Sequence, residues 1–181
     1  DWIDNRRLGR IATHLTRSAD GTLFLLDGEI GNHWFIATLH AESGEFRVLN
    51  EFGRKYNHAQ FSPVHPNLFT LAQDWWRDPV SGQHFGFDHR IWLMDTDATV
   101  FEPLRPKEWF GHGHAPCHEW WSPDGKVCWV DYQQGVFELD LDTREAVHVW
   151  KRPLCHAHCD AARRFWCADQ SPYKWREQPC K

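Results

Sequence analysis

The chain has 181 residues, 41% of them hydrophobic, and a formal net charge of −5 at pH 7, a composition that suits one packed domain or two small ones. It has no tract of five basic residues, so nucleic acid is not expected as a partner, and no apolar run approaches the roughly 18 residues of a membrane span. The chain begins at Asp1 without a methionine or a leader-like segment and ends abruptly at Lys181, so we expect a fragment of a longer protein.

Four segments share one pattern, in which a histidine is followed after three residues by a Ser or Asp that opens a turn. The histidines are His14, His58, His118 and His156, at spacings of 44, 60 and 38 residues. The clearest turn reads Ser122-Pro-Asp-Gly125, in which Pro presets φ, Asp can bond its own backbone and Gly accepts a positive φ. The pattern indicates an internal repeat.

Short apolar or alternating runs follow each turn and predict strands. In chain order the predicted strands are 22–26, 33–39 and 46–49, then 67–71, 90–95 and 99–102, then 126–130, 136–141 and 146–150, and finally 165–168. We find no stretch with helical periodicity.

Units of about 40 to 60 residues with four strands each are typical of β-propeller blades. We therefore predict an all-β chain, a β-propeller with about three and a half four-stranded blades. The single partial domain covers 1–181, with blades at approximately 9–52, 53–106, 113–152 and 153–181. Either residues 1–8 close a four-bladed ring or the chain is part of a larger propeller. A β-sandwich with coincidental turns is the alternative, but it does not explain a histidine at one offset before four turns.

The repeated histidines carry the functional hypothesis. The first strand of each propeller blade lines the central channel, and residues two apart on a strand face the same side. His58 is then expected to share a face with Gln60, and His156 with His158. Convergent imidazoles suit Zn, Mn, Fe or a proton-transfer site. For His14 we retain the alternative of a turn cap or a bond to a neighbouring strand.

The chain has six cysteines, and the even count raises the possibility of disulfides. Some of them lie within apolar strand-like runs and no secretory signal is visible, which favours thiols that are buried or line a site. Adjacent strand residues point to opposite faces, so Cys117 and Cys155 are expected to pack between blades, away from His118 and His156. Free thiols favour the cytoplasm over the periplasm.

Three segments resemble oligogalacturonate lyases over roughly residues 56–173. They are Asp88-His-Arg90-Ile-Trp92, then Cys117-His118-Glu-Trp-Trp-Ser-Pro-Asp-Gly125, and Cys155-His156 with Ala168-Asp169. The resemblance implies a seven-bladed propeller that cleaves short unsaturated galacturonides, its small acidic oligosaccharide partners in pectin degradation. It also implies metal-assisted β-elimination with Mn²⁺ or a similar divalent metal.

By position, the resemblance implies that Arg90 pairs with the substrate carboxylate, that His118 is the base and that His156 is a metal ligand. A two-residue slip in the alignment selects His158 instead. The family's remaining ligands, a Gln and a His-x-His, lie on a later blade beyond this chain. The chemistry suits these residue types, because removing a proton α to a carboxylate requires a base and stabilisation of the developing negative charge.

Further substrate contacts are expected from the channel-facing His58 and Gln60, and from Trp75 and Trp76 as a wall on which a sugar stacks, with packing between blades as the alternative role of the two tryptophans. Two other functions stay open. One is a noncatalytic propeller module that binds a glycan or a protein, and the other is a propeller lyase for a different uronide.

Overall fold

The computed structural model describes residues 8–104, 116–132 and 134–170, and within these ranges every regular element is a β-strand. The chain divides into two compact units, Asp1–Leu104 and Arg105–Lys181, each of which is described by itself. No helix within the described ranges is long and apolar enough to cross a bilayer. The start of the predicted third blade, and the end of the fourth beyond residue 170, lie outside the described residues.

The first unit opens with an antiparallel sheet of five strands. Its strands are β1 (Leu8–Ile11), β2 (Thr16–Arg17), β3 (Leu23–Ile30), β4 (His33–His40) and β5 (Phe46–Phe52). β1 and β2 pair with successive parts of the same edge of β3, so together they occupy one strand position and the sheet has four positions in all. Residues 1–7, which were considered as the segment that closes a four-bladed ring, lie outside the described residues.

The second sheet of this unit is four-stranded and carries a small hairpin between its middle strands. The elements are β6 (Tyr56–Phe61), β7 (Leu68–Gln73), the hairpin β8 (Trp76–Arg77) and β9 (His84–Phe85), β10 (Ile91–Asp95) and β11 (Phe101–Pro103). The sheet order β6-β7-β10-β11 follows the chain, and each strand runs antiparallel to the next. The apolar core of the unit joins Leu25, Trp34 and Ile36 of the first sheet to Phe69 and Leu71 of the second.

The second unit contains one complete sheet and the first half of another. The strands are β12 (Pro116–Trp121), β13 (Val127–Asp131), β14 (Gly135–Leu139) and β15 (Ala146–Lys151), followed by the pair β16 (Leu154–Cys159) and β17 (Trp166–Gln170). Cys117, Trp120, Cys128 and Val130 pack with Leu154 in a core that both sheets share.

The predicted turn chemistry is present. Gly125 donates its N–H to the Ser122 carbonyl at 2.9 Å, and the Ser122 hydroxyl donates to Asp124 at 2.6 Å. The first turn repeats this geometry, with Gly21 N–H to the Ser18 carbonyl at 2.8 Å and a left-handed φ of 76° at Gly21. A Ser side chain thus closes each turn and aligns the two strands that flank it.

The first strand of three sheets contains a β-bulge, in which two residues oppose one on the partner strand. The bulges fall between Asn57 and Gln60 in β6, between Cys117 and Trp120 in β12, and between Leu154 and Ala157 in β16. His58 and His118 lie within them and have left-handed φ values of 53° and 48°. The bulge of β16 interrupts the two-residue alternation, and the expectation that His156 shares a face with His158 is wrong, because the His156 ring contacts His118 whereas the His158 ring faces Trp120. The shared face of His58 and Gln60 stays a prediction.

Candidate functional site

His118 lies in the bulge of β12, where the left-handed backbone directs its half-buried ring toward the neighbouring strands. Its Nε2 is 3.1 Å from the Tyr132 hydroxyl, which follows the end of β13. The rings of His118 and His156 are in contact, with centroids 3.8 Å apart. The first strands of two successive sheets therefore bring two imidazoles together.

Asp169 of β17 orients His156 through two hydrogen bonds. The His156 backbone N–H donates to Oδ1 at 2.5 Å, and Nδ1 lies 2.7 Å from Oδ2. Partial burial raises the pKa of Asp169, but the hydrogen bonds from His156 outweigh it and hold that pKa below its usual value. With Nδ1 bound to the carboxylate, His156 can bind a metal through Nε2, and a carboxylate behind a ligating histidine is the usual outer-shell partner.

Cys155 belongs to the same group, contrary to the sequence-based expectation. Its Sγ is 3.9 Å from His118 Nε2, and one ligand atom from each of His118, Cys155 and His156 lies within 4.8 Å of the others. In the bulge of β16, Cys155 and His156 together oppose Asp169, so adjacent residues do not point to opposite faces. Cys117 does pack as expected, since its thiol donates to the Val130 carbonyl in the core.

None of the five cysteines within the described residues forms a disulfide, and Cys180 lies outside them. Burial raises the pKa of the Cys155 thiol above its usual value, and the nearby Asp169 carboxylate raises it further. Cys155 is therefore a neutral thiol near pH 7 unless a cation binds it.

His158, the alternative metal ligand, lies apart from this group. It pairs with Cys167 of β17, and its ring faces Trp120 with centroids 6.0 Å apart. Of the two histidines that the alternative alignments select, His156 is therefore the one that contacts His118.

These side chains fit part of a Mn²⁺ site. Imidazole nitrogen is an acceptable donor for this ion, and the Asp169 hydrogen bond gives His156 the orientation that metal ligands have. A thiol is a poor donor for Mn²⁺, which prefers oxygen and nitrogen. His156 therefore has the donor type and the orientation that suit such a metal, and the ring of His118 lies beside it.

Arg90, in the first unit, is a buried cation with two identified partners. It is 8% exposed, and its Nη1 is 2.9 Å from Asp74 while its Nη2 is 3.3 Å from His58 Nδ1. Lys55 lies 3.2 Å from the same Asp74 carboxylate. Burial raises the pKa of Asp74, but the Arg90 and Lys55 charges outweigh it, so the carboxyl has a pKa below its usual value.

His58 and Gln60 also lie in the first unit. The His58 backbone N–H donates to the Thr13 hydroxyl at 2.8 Å, and its ring meets the His14 ring edge-on with centroids 4.8 Å apart. Gln60 is 9% exposed and lies beyond the bulge. The His58 ring, predicted to bind substrate, thus contacts Arg90 in this unit.

The two tryptophans of the predicted sugar wall differ in environment. Trp75 is 61% exposed, whereas Trp76 stacks on Phe85 at 4.7 Å and contacts Trp34 at 4.8 Å. Both line a cavity of about 410 Å³ in the first unit, together with Lys55 and charged or polar neighbours. The other lining residues are Gly9, Glu29, Gly31, Asn32, Trp34, Arg77 and Pro79. Trp75 presents the open aromatic surface, and Trp76 supports the wall by packing.

Neither Tyr132 nor Asp169 was assigned a role from the sequence. A signal for Asp169 is present, because Asp27, Gln73, Asp131 and Asp169 each stand six residues after the last residue of a turn. Asp27 receives the N–H and hydroxyl of Thr13 at 2.9 and 2.7 Å, the same pair of contacts that Asp169 makes with His156. In these hydrogen bonds the counterpart of His156 in the first sheet is Thr13, not His14.

No protein-family model matches the chain, and no curated protein matches it. Solved structures do resemble it. An oligogalacturonate lyase in complex with manganese superposes with a TM-score of 0.73 at 17% identity, covering 91% of this chain and 48% of that one. For an oligogalacturonate lyase from Vibrio parahaemolyticus the TM-score is 0.71 at 16% identity, covering 86% and 45%.

A β-propeller domain from Myceliophteria thermophila superposes with a TM-score of 0.58 at 16% identity, covering 89% of this chain and 48% of that one. The chain thus spans about half the length of the solved structures that it resembles. At these identities the likeness concerns the fold, and the prediction of a partial, all-β propeller is confirmed.

Proposed function

We propose that this chain carries part of the active site of a lyase that cleaves short, unsaturated oligogalacturonides by β-elimination. The observation that supports this proposal is the contact between His118 and a second histidine, His156, which Asp169 orients as a metal ligand. A base beside a metal ligand is the pairing that proton abstraction α to a carboxylate requires. The chain's likeness to lyase structures at the level of fold agrees with the proposal.

In the proposed reaction, His118 in its neutral form accepts the proton on the carbon next to the uronate carboxylate. The electron pair of that C–H bond forms a carbon–carbon double bond, and the bond from the adjacent carbon to the glycosidic oxygen breaks. The departing oxygen takes up a proton. A divalent metal, when bound, supplies positive charge that stabilises the developing negative charge on the carboxylate.

The side chains of this chain have separate tasks in the proposal. Tyr132, 3.1 Å from Nε2, holds the His118 ring in place, and Asp169 holds His156. Arg90 is assigned to the substrate carboxylate, since its planar fork matches a carboxylate. His58, in contact with Arg90, and Gln60 are assigned to substrate binding.

The test uses the protein that contains this chain, with Mn²⁺ and unsaturated digalacturonate. Turnover is followed as loss of absorbance from the unsaturated end and appearance of a keto product. We expect His118→Ala to abolish turnover and His65→Ala, an exposed turn histidine, to leave it unchanged. Retained activity in His118→Ala removes the base assignment. A wild-type protein that neither turns over nor binds the disaccharide contradicts the proposal.

A paired experiment separates the two candidate metal ligands. His156→Ala is expected to weaken Mn²⁺ binding, whereas His158→Ala is expected to preserve it, because His158 faces Trp120. The reverse order of the two effects would assign the ligand to His158.

A second candidate function, a noncatalytic glycan-binding module, has an observation in its favour. The cavity beside the exposed Trp75 combines an aromatic face with Lys55 and Arg77, a combination that suits an acidic sugar. If this function is correct, Trp75→Ala abolishes binding of digalacturonate, Val80→Ala at a 90% exposed position nearby leaves it unchanged, and the wild-type chain shows no turnover.

A further inference from the structure

We propose that His118, Cys155 and His156 form a binding site for a thiophilic divalent cation such as Zn²⁺, with a donor set of two nitrogens and one sulfur. This inference goes beyond the proposed lyase function and does not rest on it, because metal binding is measured directly. A chain without any turnover would still show it.

The three ligand atoms already lie near the spacing that one metal ion imposes. They fall within 4.8 Å of one another, and Cys155 Sγ is 3.9 Å from His118 Nε2. With Zn–N of about 2.0–2.1 Å and Zn–S of about 2.3 Å, tetrahedral ligands are roughly 3.3–3.6 Å apart. Small rotations of the side chains therefore suffice to close the site.

The backbone explains why adjacent residues can act together. The bulge of β16 sets both Cys155 and His156 against Asp169, so both side chains reach His118 of β12. Asp169 fixes the ring of His156 from behind, as outer-shell carboxylates do for ligating histidines. A water molecule or the Tyr132 oxygen, 3.1 Å from His118 Nε2, can supply the fourth ligand.

The thiol determines which cations the site prefers. Thiolate is a soft donor that favours Zn²⁺ and Co²⁺ over Mn²⁺ or Mg²⁺. Binding replaces the thiol proton of the buried Cys155 with the metal, and that proton goes to solvent. A thiophilic ion at this site would also occupy His118 Nε2.

The experiment titrates the reduced, metal-free 181-residue chain with Co²⁺ and records the near-ultraviolet thiolate-to-cobalt charge-transfer band. We expect one equivalent to produce the band, Zn²⁺ to remove it, and Mn²⁺ in the same excess to leave it. Cys155→Ser is expected to lose the band. The matched control is Cys167→Ser, which alters an exposed thiol of β17 and is expected to keep it.

Two exposed positions test the site with little risk to folding. His156→Ala is expected to lower Co²⁺ affinity by at least tenfold, and Asp169→Asn by about 10- to 100-fold, the usual effect of removing an outer-shell partner. Circular dichroism checks that each variant is folded. A band that survives in Cys155→Ser, unchanged affinity in His156→Ala, or no band in the wild-type chain overturns the proposal.

Discussion

The buried guanidinium of Arg90 pairs with the carboxylate of Asp74, which also pairs with Lys55. Asp74 is 18% exposed and lies 2.9 Å from Arg90. We expect Asp74→Asn to lower the free energy of unfolding by about 3 kcal/mol, because it removes a carboxylate that pairs with a buried cation. Urea denaturation measures the change. Asp97→Asn, at an exposed turn, should shift the free energy by less than about 0.5 kcal/mol. Equal effects of the two substitutions would contradict the assignment.

The same carboxyl gives a pH dependence with a definite sign. Its pKa is lower in the folded chain than the value of about 3.9 in the unfolded chain, so the unfolded state binds more protons between the two values. The stabilisation from Asp74 is therefore complete above about pH 3.9 and is lost as the pH falls through the folded-state pKa. Melting temperatures below about pH 4 should fall less steeply in Asp74→Asn than in the wild-type chain. Parallel curves would remove this role.

At the scale of the strand, the left-handed backbone of His118 lowers the stability of the folded chain. A φ of 48° is unfavourable for a residue with a Cβ, whereas glycine adopts it without this cost. We expect His118→Gly to be more stable than His118→Ala by about 0.5–1 kcal/mol in urea denaturation, after allowing for the greater freedom of glycine in the unfolded chain.

The same two substitutions at His158, in the same unit, provide the control for His118→Gly and His118→Ala. It pairs regularly with Cys167 and does not have a positive φ, so there the order should reverse and alanine should be the more stable replacement. The same order at both positions would contradict the left-handed assignment.

Gly135, at the start of β14, is a second position where the backbone conformation determines which residue can be accommodated. Its φ is 118°, and a Cβ there would lie 1.9 Å from the Trp150 carbonyl oxygen on the paired strand. We expect Gly135→Ala to cost more than about 2 kcal/mol, since neither backbone can give way without breaking the β14–β15 pairing. Gly44→Ala, with φ of 70° and nothing within 4 Å, should cost about 1 kcal/mol. Comparable losses in thermal unfolding would contradict this difference.

Strand alternation and turn chemistry predicted most strands of the larger sheets, but not the small β8–β9 hairpin. The Ser122-Pro-Asp-Gly125 turn and the strand that follows it, β13, lie where the sequence places them, with a shift of one residue at each end of the strand. The bulges were not predictable in this way, because a bulge depends on pairing with a distant strand and not on local composition. Because regular alternation was assumed where β16 has a bulge, Cys155 was predicted to lie away from the site.

For the whole molecule, cation binding and folding are linked. An ion that binds the folded chain raises the free energy of unfolding by RT ln(1 + [L]/Kd), about 2.7 kcal/mol at a concentration of 100 Kd. We expect Zn²⁺ to raise the melting temperature of the wild-type chain and to have a much smaller effect on Cys155→Ser. An equal rise in both would assign the zinc to other residues.

The paired contacts of Asp27 and Asp169 have a consequence for how new chemistry can arise on such a scaffold. Asp27 holds Thr13 through the backbone and the side chain, as Asp169 holds His156. The repeated architecture therefore contains more than one aspartate that binds both the backbone and the side chain of a single residue. Replacing Thr13 by histidine would place an oriented imidazole at the second of these positions. Duplication of a structural unit, followed by substitution at its anchored residue, gives an engineer or natural selection a short route to an additional reactive centre.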